Sequence, residues 1–215
     1  MNSSDNNTAF SVIMTVCDEA RKLEENLPQF LEQDYATGYE VIVVDESSTD
    51  DTVDVLKLQK AKYPHLYTTF LPKPNRLVTR QRLALTIGVK AAKNEWLIFT
   101  NIQTPPPSDQ WLKELAEFTV EGTTLLLGYI NRKTGDVRLQ QFDSVGDASL
   151  YISKTERKRG GAATDGKLLR YLRGKYDFVA VRREHGHETL RLYERDVRGL
   201  RLLGYRIGIF IRGLK

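Results

Sequence analysis

Polar residues able to do chemistry gather at the ends of short apolar runs. The first run, Phe10–Val16 (FSVIMTV), leads into Cys17-Asp18-Glu19. The second, Glu40–Asp45 (EVIVVD), opens into Glu46-Ser47-Ser48-Thr49-Asp50-Asp51-Thr52. An acidic side chain at a strand end, here Asp45, can accept hydrogen bonds from a nucleobase or a ribose. The Ser/Thr/Asp run behind it suits a helix start, and helix capping is the preferred reading of Asp50 and Asp51. Arg80 and Arg82 stand in a third stretch, Thr79–Leu85. A guanidinium binds phosphate through two parallel hydrogen bonds. Neither strand end carries a glycine-rich turn, so both the dinucleotide fingerprint and the P-loop are absent. That argues against a dehydrogenase or a kinase-like ATPase. His185 and His187 flank Gly186 at a metal-ligand spacing, but two histidines without a third ligand make a weak site.

The elements that must hold these residues alternate. Tyr67–Leu71, Glu95–Phe99 and Thr123–Tyr129 continue the series of apolar, β-branched runs. Near-continuous apolar strands predict a sheet covered on both faces. Between them, Ala20–Glu32, Thr52–Lys62, Arg80–Ala92 and Asp109–Thr119 carry apolar residues at helical spacing, the last opening after Ser108 as its expected N-cap. Such alternation predicts a parallel, doubly wound sheet, and ligands of such sheets sit at the carboxyl ends of the strands. Past Tyr129 the pattern weakens. A strand and a helix are expected over 138–152, a basic glycine-rich loop over 157–166, helices over 167–173 and 189–203, and a final strand over 205–211.

The 215 residues can bury a sizeable core. No apolar run approaches the roughly 18 residues that span a bilayer, and Met1–Ala9 lacks the apolar stretch of a signal peptide. A lone cysteine, Cys17, excludes an internal disulfide and fits a reducing compartment. A cytoplasmic protein is therefore expected. The formal charge of +4 is uneven: residues 151–215 hold 17 Lys and Arg against 7 Asp and Glu. That basic third could face phosphates, anionic lipid or nucleic acid, or be an ordinary solvated surface.

The segments SVIMTVCDEA, EVIVVDESSTDDT, ALTIGVKAAKNEWLIF and PPPSDQWL, in that order and spacing, resemble an inverting glycosyltransferase of family 2 with the GT-A fold. The resemblance covers roughly the first 120 residues. It implies a Rossmann-like three-layer α/β/α sandwich with a mostly parallel central sheet and a short acceptor-side C-terminal extension. Residues 1–9 would be a disordered tail, 10–129 the nucleotide-sugar-binding half, and 130–215 a basic acceptor-side half of the same domain. The implied activity moves a sugar from a nucleoside diphosphate donor, a UDP-sugar being favoured, to a hydroxyl of a glycan or lipid-linked acceptor in surface polysaccharide synthesis. Peripheral contact of the basic third with the inner face of the cell membrane fits the same picture, and nucleic acid is not expected. The loop carrying Thr15, Cys17 and Glu19 would lie against the nucleoside, Asp45 and Glu46 would bind the base, and Arg80 and Arg82 would meet the diphosphate. Strand-end packing of Thr15 and Cys17, and a solvated helix face for the arginines, are the plain alternatives.

Two departures from the family pattern stand out. Asn101 and Gln103 occupy the places of the two metal-binding aspartates. Amide oxygens hold Mg²⁺ or Mn²⁺ more weakly than carboxylates, so the readings left open are metal-free catalysis, a weak metal held mainly by donor phosphates with Gln103 as its protein ligand, or lost activity. The base that takes the acceptor proton matches by position to Glu188, beside His187, with Glu194 and Asp196 as rivals and a charged surface helix as the bland alternative. The chain also ends at Lys215, soon after Gly204-Tyr205-Arg206-Ile207, so a short acceptor region is expected. A catalytically impaired nucleotide-binding relative is the second reading. A basic lipid or nucleic-acid binder, motivated by Arg157, Lys158, Arg159 and the tail from Arg201, is the third.

Overall fold

Strands that are apolar on both sides must be covered on both sides, and the chain meets that demand by interleaving helices. The computed structural model describes residues 8–71, 80–131, 133–149, 151 and 177–190. In chain order the elements are β1 (Phe10–Val16), α1 (Ala20–Leu31), β2 (Tyr39–Asp45), α2 (Thr52–Lys62), β3 (Leu66–Phe70), α3 (Arg80–Ala91) and β4 (Trp96–Phe99). They are followed by α4 (Trp111–Ala116), β5 (Leu125–Ile130), β6 (Val137–Phe142) and β7 (Phe178–Arg182).

The seven strands form one sheet in the order β3-β2-β1-β4-β7-β5-β6. β3, β2, β1 and β4 are parallel neighbours. β7 enters between β4 and β5 and runs antiparallel to both, and β6 runs antiparallel to β5. Five strands thus share one direction and two oppose it, a mostly parallel sheet as expected.

The period of two in each strand sorts side chains into two cores. Val12, Met14, Val41, Val43, Trp96, Ile98, Phe178 and Ala180 face the side covered by α1, α2 and α4. Ile13, Ile42, Val44, Leu97, Phe99, Val179 and Val181 face the side covered by α3 and by the helical residues 145–149 and 186–190. The result is a three-layer α/β/α sandwich. Each fully buried Leu, Ile, Val or Phe contributes about 1.5–3 kcal/mol, and both cores depend on the same strands. On the α3 side the backbone comes close: a Cβ at Gly88 would lie 2.5 Å from Ile13 Cγ2.

Several element boundaries shift by one or two residues from expectation, and two of the shifts have a visible physical reason. β3 starts one residue earlier because its register is set by pairing Val41 with Leu66. The helix expected from Asp109 begins at Trp111, and Ser108 is not its cap. Instead, Gln33 from the end of α1 reaches across: its Oε1 accepts the Leu112 N–H at 3.2 Å, and its Nε2 donates to Ser108 O at 2.9 Å. The strand and helix expected over 138–152 are found as β6 and the helical residues 145–149. The elements expected over 157–166, 167–173 and 205–211, and most of 189–203, lie outside the described residues. Among the described residues no helix is long and apolar enough to cross a membrane.

Candidate functional site

Because β1, β2 and β4 are parallel, their carboxyl ends open onto one edge of the sheet. Val16 pairs with Asp45, and Ile13 with Phe99, so the loops 17–19, 46–51 and 100–104 leave the sheet side by side. Helices α1 and α2 begin directly after two of these loops, which brings their positive ends to the same edge.

Hydrogen bonds join the three loops. The Thr49 N–H donates to Asp18 Oδ1 at 2.6 Å, while the Asp18 N–H donates to Ser48 Oγ at 2.9 Å. The Glu46 N–H donates to Val16 O at 2.8 Å. The Glu19 N–H donates to Thr52 Oγ1 at 3.1 Å. From the third loop, Gln103 Nε2 donates to Glu19 Oε2 at 2.6 Å. The backbone there is held from α1, where Asn26 Nδ2 donates to Ile102 O at 2.8 Å and the Ile102 side chain is buried.

Asp50 accepts the Ala20 N–H on Oδ2 and the Thr52 N–H on Oδ1, both at 3.0 Å. One carboxylate therefore caps the first residues of both α1 and α2. The Thr52 hydroxyl beside it, and then these backbone donors, hold its carboxyl below the ordinary value of 3.8. Helix capping, the preferred reading of Asp50, thus extends to a second helix. Asp51 is the N-cap residue of α2 but makes no side-chain cap hydrogen bond. Two residues of these loops, Asp18 and Ser47, adopt left-handed backbone with φ of 55° and 65°. For residues other than glycine that conformation is strained and is held by its surroundings.

The expected site residues divide into two groups. Thr15, Cys17, Glu19, Asp45, Glu46, Asn101 and Gln103 come together at the carboxyl edge. Cys17 is exposed, Thr15 and Glu46 are half-buried, and Asp45 is only 4% exposed, its Oδ1 accepting the Ser48 N–H at 3.0 Å. Arg80 and Arg82 fall in the first turn of α3. Asp177, which no motif in the sequence marks, precedes β7 at this edge. Its backbone oxygen accepts the Thr100 hydroxyl, and its Oδ2 accepts the Ile130 N–H at 2.7 Å.

Glu188, expected as the base of the acceptor-side half, belongs to the other group, away from the strand tips. β7 runs against β4, pairing Phe99 with Val179 and Trp96 with Arg182, so the chain leaves β7 at the amino edge. There the Arg183 N–H donates to Glu95 O, and Arg182 pairs with Glu95 just before β4 begins. Gly186 packs near Leu97 and Val89, and Glu188 lies 3.2 Å from His185 Nδ1. A cavity of about 690 Å³ at this edge is lined in part by Lys90, Glu95, Arg183 and His187. His185 and His187 do not assemble a metal site: among the described residues no group of three or more His, Cys, Asp or Glu is placed to hold an ion. Glu194 and Asp196 lie outside the described residues.

The three-loop edge fits the family resemblance, and a family model decides it: the model described as Glycosyl transferase family 2 matches residues 11–170. The chain belongs to glycosyl transferase family 2. Among solved structures, residues 1–349 of TarS from S. aureus are 22% identical, with a TM-score of 0.54 over 84% of this chain and 48% of that one. Glucosyl-3-phosphoglycerate synthase from Mycobacterium tuberculosis, solved with Mn²⁺, uridine diphosphate and glucosyl-3-phosphoglycerate, is 18% identical. Its TM-score is 0.50 over 82% of this chain and 57% of that one. The family 2 chain therefore has the GT-A fold of these glycosyltransferases, and it spans about half the length of each. No curated protein matches it.

A hard divalent cation takes oxygen ligands, several of them charged. Asn101 Oδ1 accepts the Gln103 N–H at 2.9 Å, closing a small turn. Gln103 turns its amide N–H toward the carboxylate of Glu19. One carboxylate already bonded to an amide, and one amide oxygen already accepting, do not make the charged oxygen set a hard cation requires. Asn101, Gln103 and Glu19 therefore do not fit a protein-held metal, and no group of three or more His, Cys, Asp or Glu among the described residues is placed to hold one.

Proposed function

We propose that this chain transfers a sugar, with inversion, from a nucleoside diphosphate donor to a hydroxyl acceptor. The observation that carries the reading is the convergence of the loops after β1, β2 and β4, joined through Asp18–Thr49 and Glu19–Gln103. Family membership supports it. In this reading Thr15, Cys17 and Glu19 lie against the nucleoside, Asp45 and Glu46 bind the base, and Asn101 contributes beside them. Arg80 and Arg82 meet the diphosphate at the start of α3, where the helix dipole also favours negative charge.

The reaction requires a carboxylate that removes the proton from the acceptor hydroxyl as its oxygen attacks the anomeric carbon. The bond from that carbon to the diphosphate breaks on the opposite face, and the nucleoside diphosphate departs. Glu188 lies at the amino edge, and its rivals for this role are Glu194 and Asp196. A UDP-sugar is the favoured donor and a glycan or lipid-linked molecule the acceptor, in surface polysaccharide synthesis. A cytoplasmic location, with the basic third against anionic lipid, suits such an acceptor.

Thermal-shift and calorimetric titration with UDP, GDP, TDP and their sugars tests the reading. Saturable binding by one nucleotide class, followed by slow donor hydrolysis, is expected; absence of binding across the panel, with and without Mn²⁺, would remove it. The amides at 101 and 103 favour a second reading, a relative that binds nucleotide without turnover. Binding with neither hydrolysis nor transfer would select it.

A further inference from the structure

We propose that the strand-tip site engages its nucleoside diphosphate without a divalent cation held by the protein, the Glu19–Gln103 hydrogen bond standing where a metal–carboxylate contact would otherwise be made. The inference rests on the reading of this edge as a nucleoside diphosphate site.

Distance and orientation carry it. Gln103 Nε2 and Glu19 Oε2 are 2.6 Å apart. Two oxygens at adjacent corners of an Mg²⁺ octahedron, each about 2.0–2.1 Å from the ion, are separated by about 2.9 Å. The Glu19–Gln103 pair is closer than that. With no cation between them the amide cannot be turned over, because its oxygen would then face a carboxylate oxygen at the same short distance. Only the N–H end satisfies Glu19.

The loop is not free to offer a different set. Ile102, between the two amides, is 2% exposed, and its backbone oxygen accepts from Asn26 Nδ2 at 2.8 Å. Asn101 closes its own turn through the Gln103 N–H, and the Thr104 N–H donates back to Asn101 O at 3.3 Å. A cation would have to break the Gln103–Glu19 bond and would then find one formal negative charge among the three side chains. Ligand charge governs affinity for hard cations, so the cost is not recovered. The charge of the donor diphosphate must instead be met by cationic side chains and backbone N–H groups of the same edge.

The test uses the full chain. Mn²⁺ uptake is read by electron paramagnetic resonance without nucleotide, and UDP affinity by calorimetry in EDTA and in Mn²⁺. The wild-type chain should sequester no Mn²⁺, and its UDP affinity should change less than twofold between the two conditions. The Asn101→Asp/Gln103→Asp variant should take up Mn²⁺, and its UDP affinity should then rise by an order of magnitude with the metal. If the double variant does not fold, as judged by circular dichroism, Gln103→Asp alone is read the same way. Wild-type Mn²⁺ uptake that is lost in Glu19→Gln would overturn the proposal, as would wild-type UDP affinity that rises tenfold in Mn²⁺. Failure of every nucleotide to bind in both buffers sinks the donor-site reading instead, and the Mn²⁺ titration still decides the question of a protein-held ion.

Discussion

Asp18 accepts the backbone N–H of Thr49 at 2.6 Å and its hydroxyl at 3.2 Å, tying the loop after β1 to the loop after β2. Asp18 does so from a left-handed backbone conformation, φ 55°. Asp tolerates that region better than Ala, so both effects of Asp18→Ala point the same way. The loss should be about 1–2 kcal/mol in urea unfolding, with weaker nucleotide binding. Asp18→Asn, which keeps an acceptor and the backbone preference, should lose less than half as much. Equal losses in the two variants would show that the conformation and the bonds are irrelevant.

Asp50 sets an acid limb of stability. Its carboxyl is lowered from 3.8 by the Thr52 hydroxyl and then by backbone N–H groups, so the folded state binds its proton less readily than the unfolded state. A depressed carboxyl contributes stability that is complete above its unfolded value and disappears as pH falls through the folded value. The gap in melting temperature between wild type and Asp50→Asn should therefore be full at neutral pH and should close below about pH 3.8. A gap of constant size across that window would contradict the assignment.

The Phe178 ring occupies the space that a side chain at Gly128 would need, where β5 and β7 pair Gly128 with Phe178. The ring also packs T-shaped against Trp111 with centroids 5.1 Å apart, which limits its retreat. Gly128→Ala should cost about 1–3 kcal/mol, or more if β7 shifts. Adding Phe178→Leu should recover part of that loss in a double-mutant cycle. Additive effects would mean the two residues do not compete for the same volume.

Placement of Glu188 beyond the amino end of β4 predicts that Glu188→Gln leaves transfer within a fewfold of wild type. By contrast, Glu194→Gln or Asp196→Asn should lower kcat by about 10²–10⁴-fold with donor binding retained. Steady-state kinetics with donor titration separates the two, and a large kcat loss confined to Glu188→Gln would restore it as the base.

Much of this protein could be read along the chain. Apolar runs such as SVIMTV and EVIVVD specify strands because both faces of each must be buried, and the intervening 3.6-residue periods specify the covering helices. Once the strands are parallel, Asp45, Cys17 and Asn101 have to emerge on one edge. Contacts between distant residues could not be read this way. Gln33 starting α4, Asp50 capping α1 as well as its own helix, and Gln103 meeting Glu19 all join residues far apart in sequence, which no local period reports. Strand direction belongs to the same class. Nothing in FVAVR states that β7 inserts between β4 and β5 and runs against both, yet that reversal alone carries His185 and Glu188 to the far edge. Periodicity determines which face a residue takes; only the pairing of strands decides which end of the sheet it reaches.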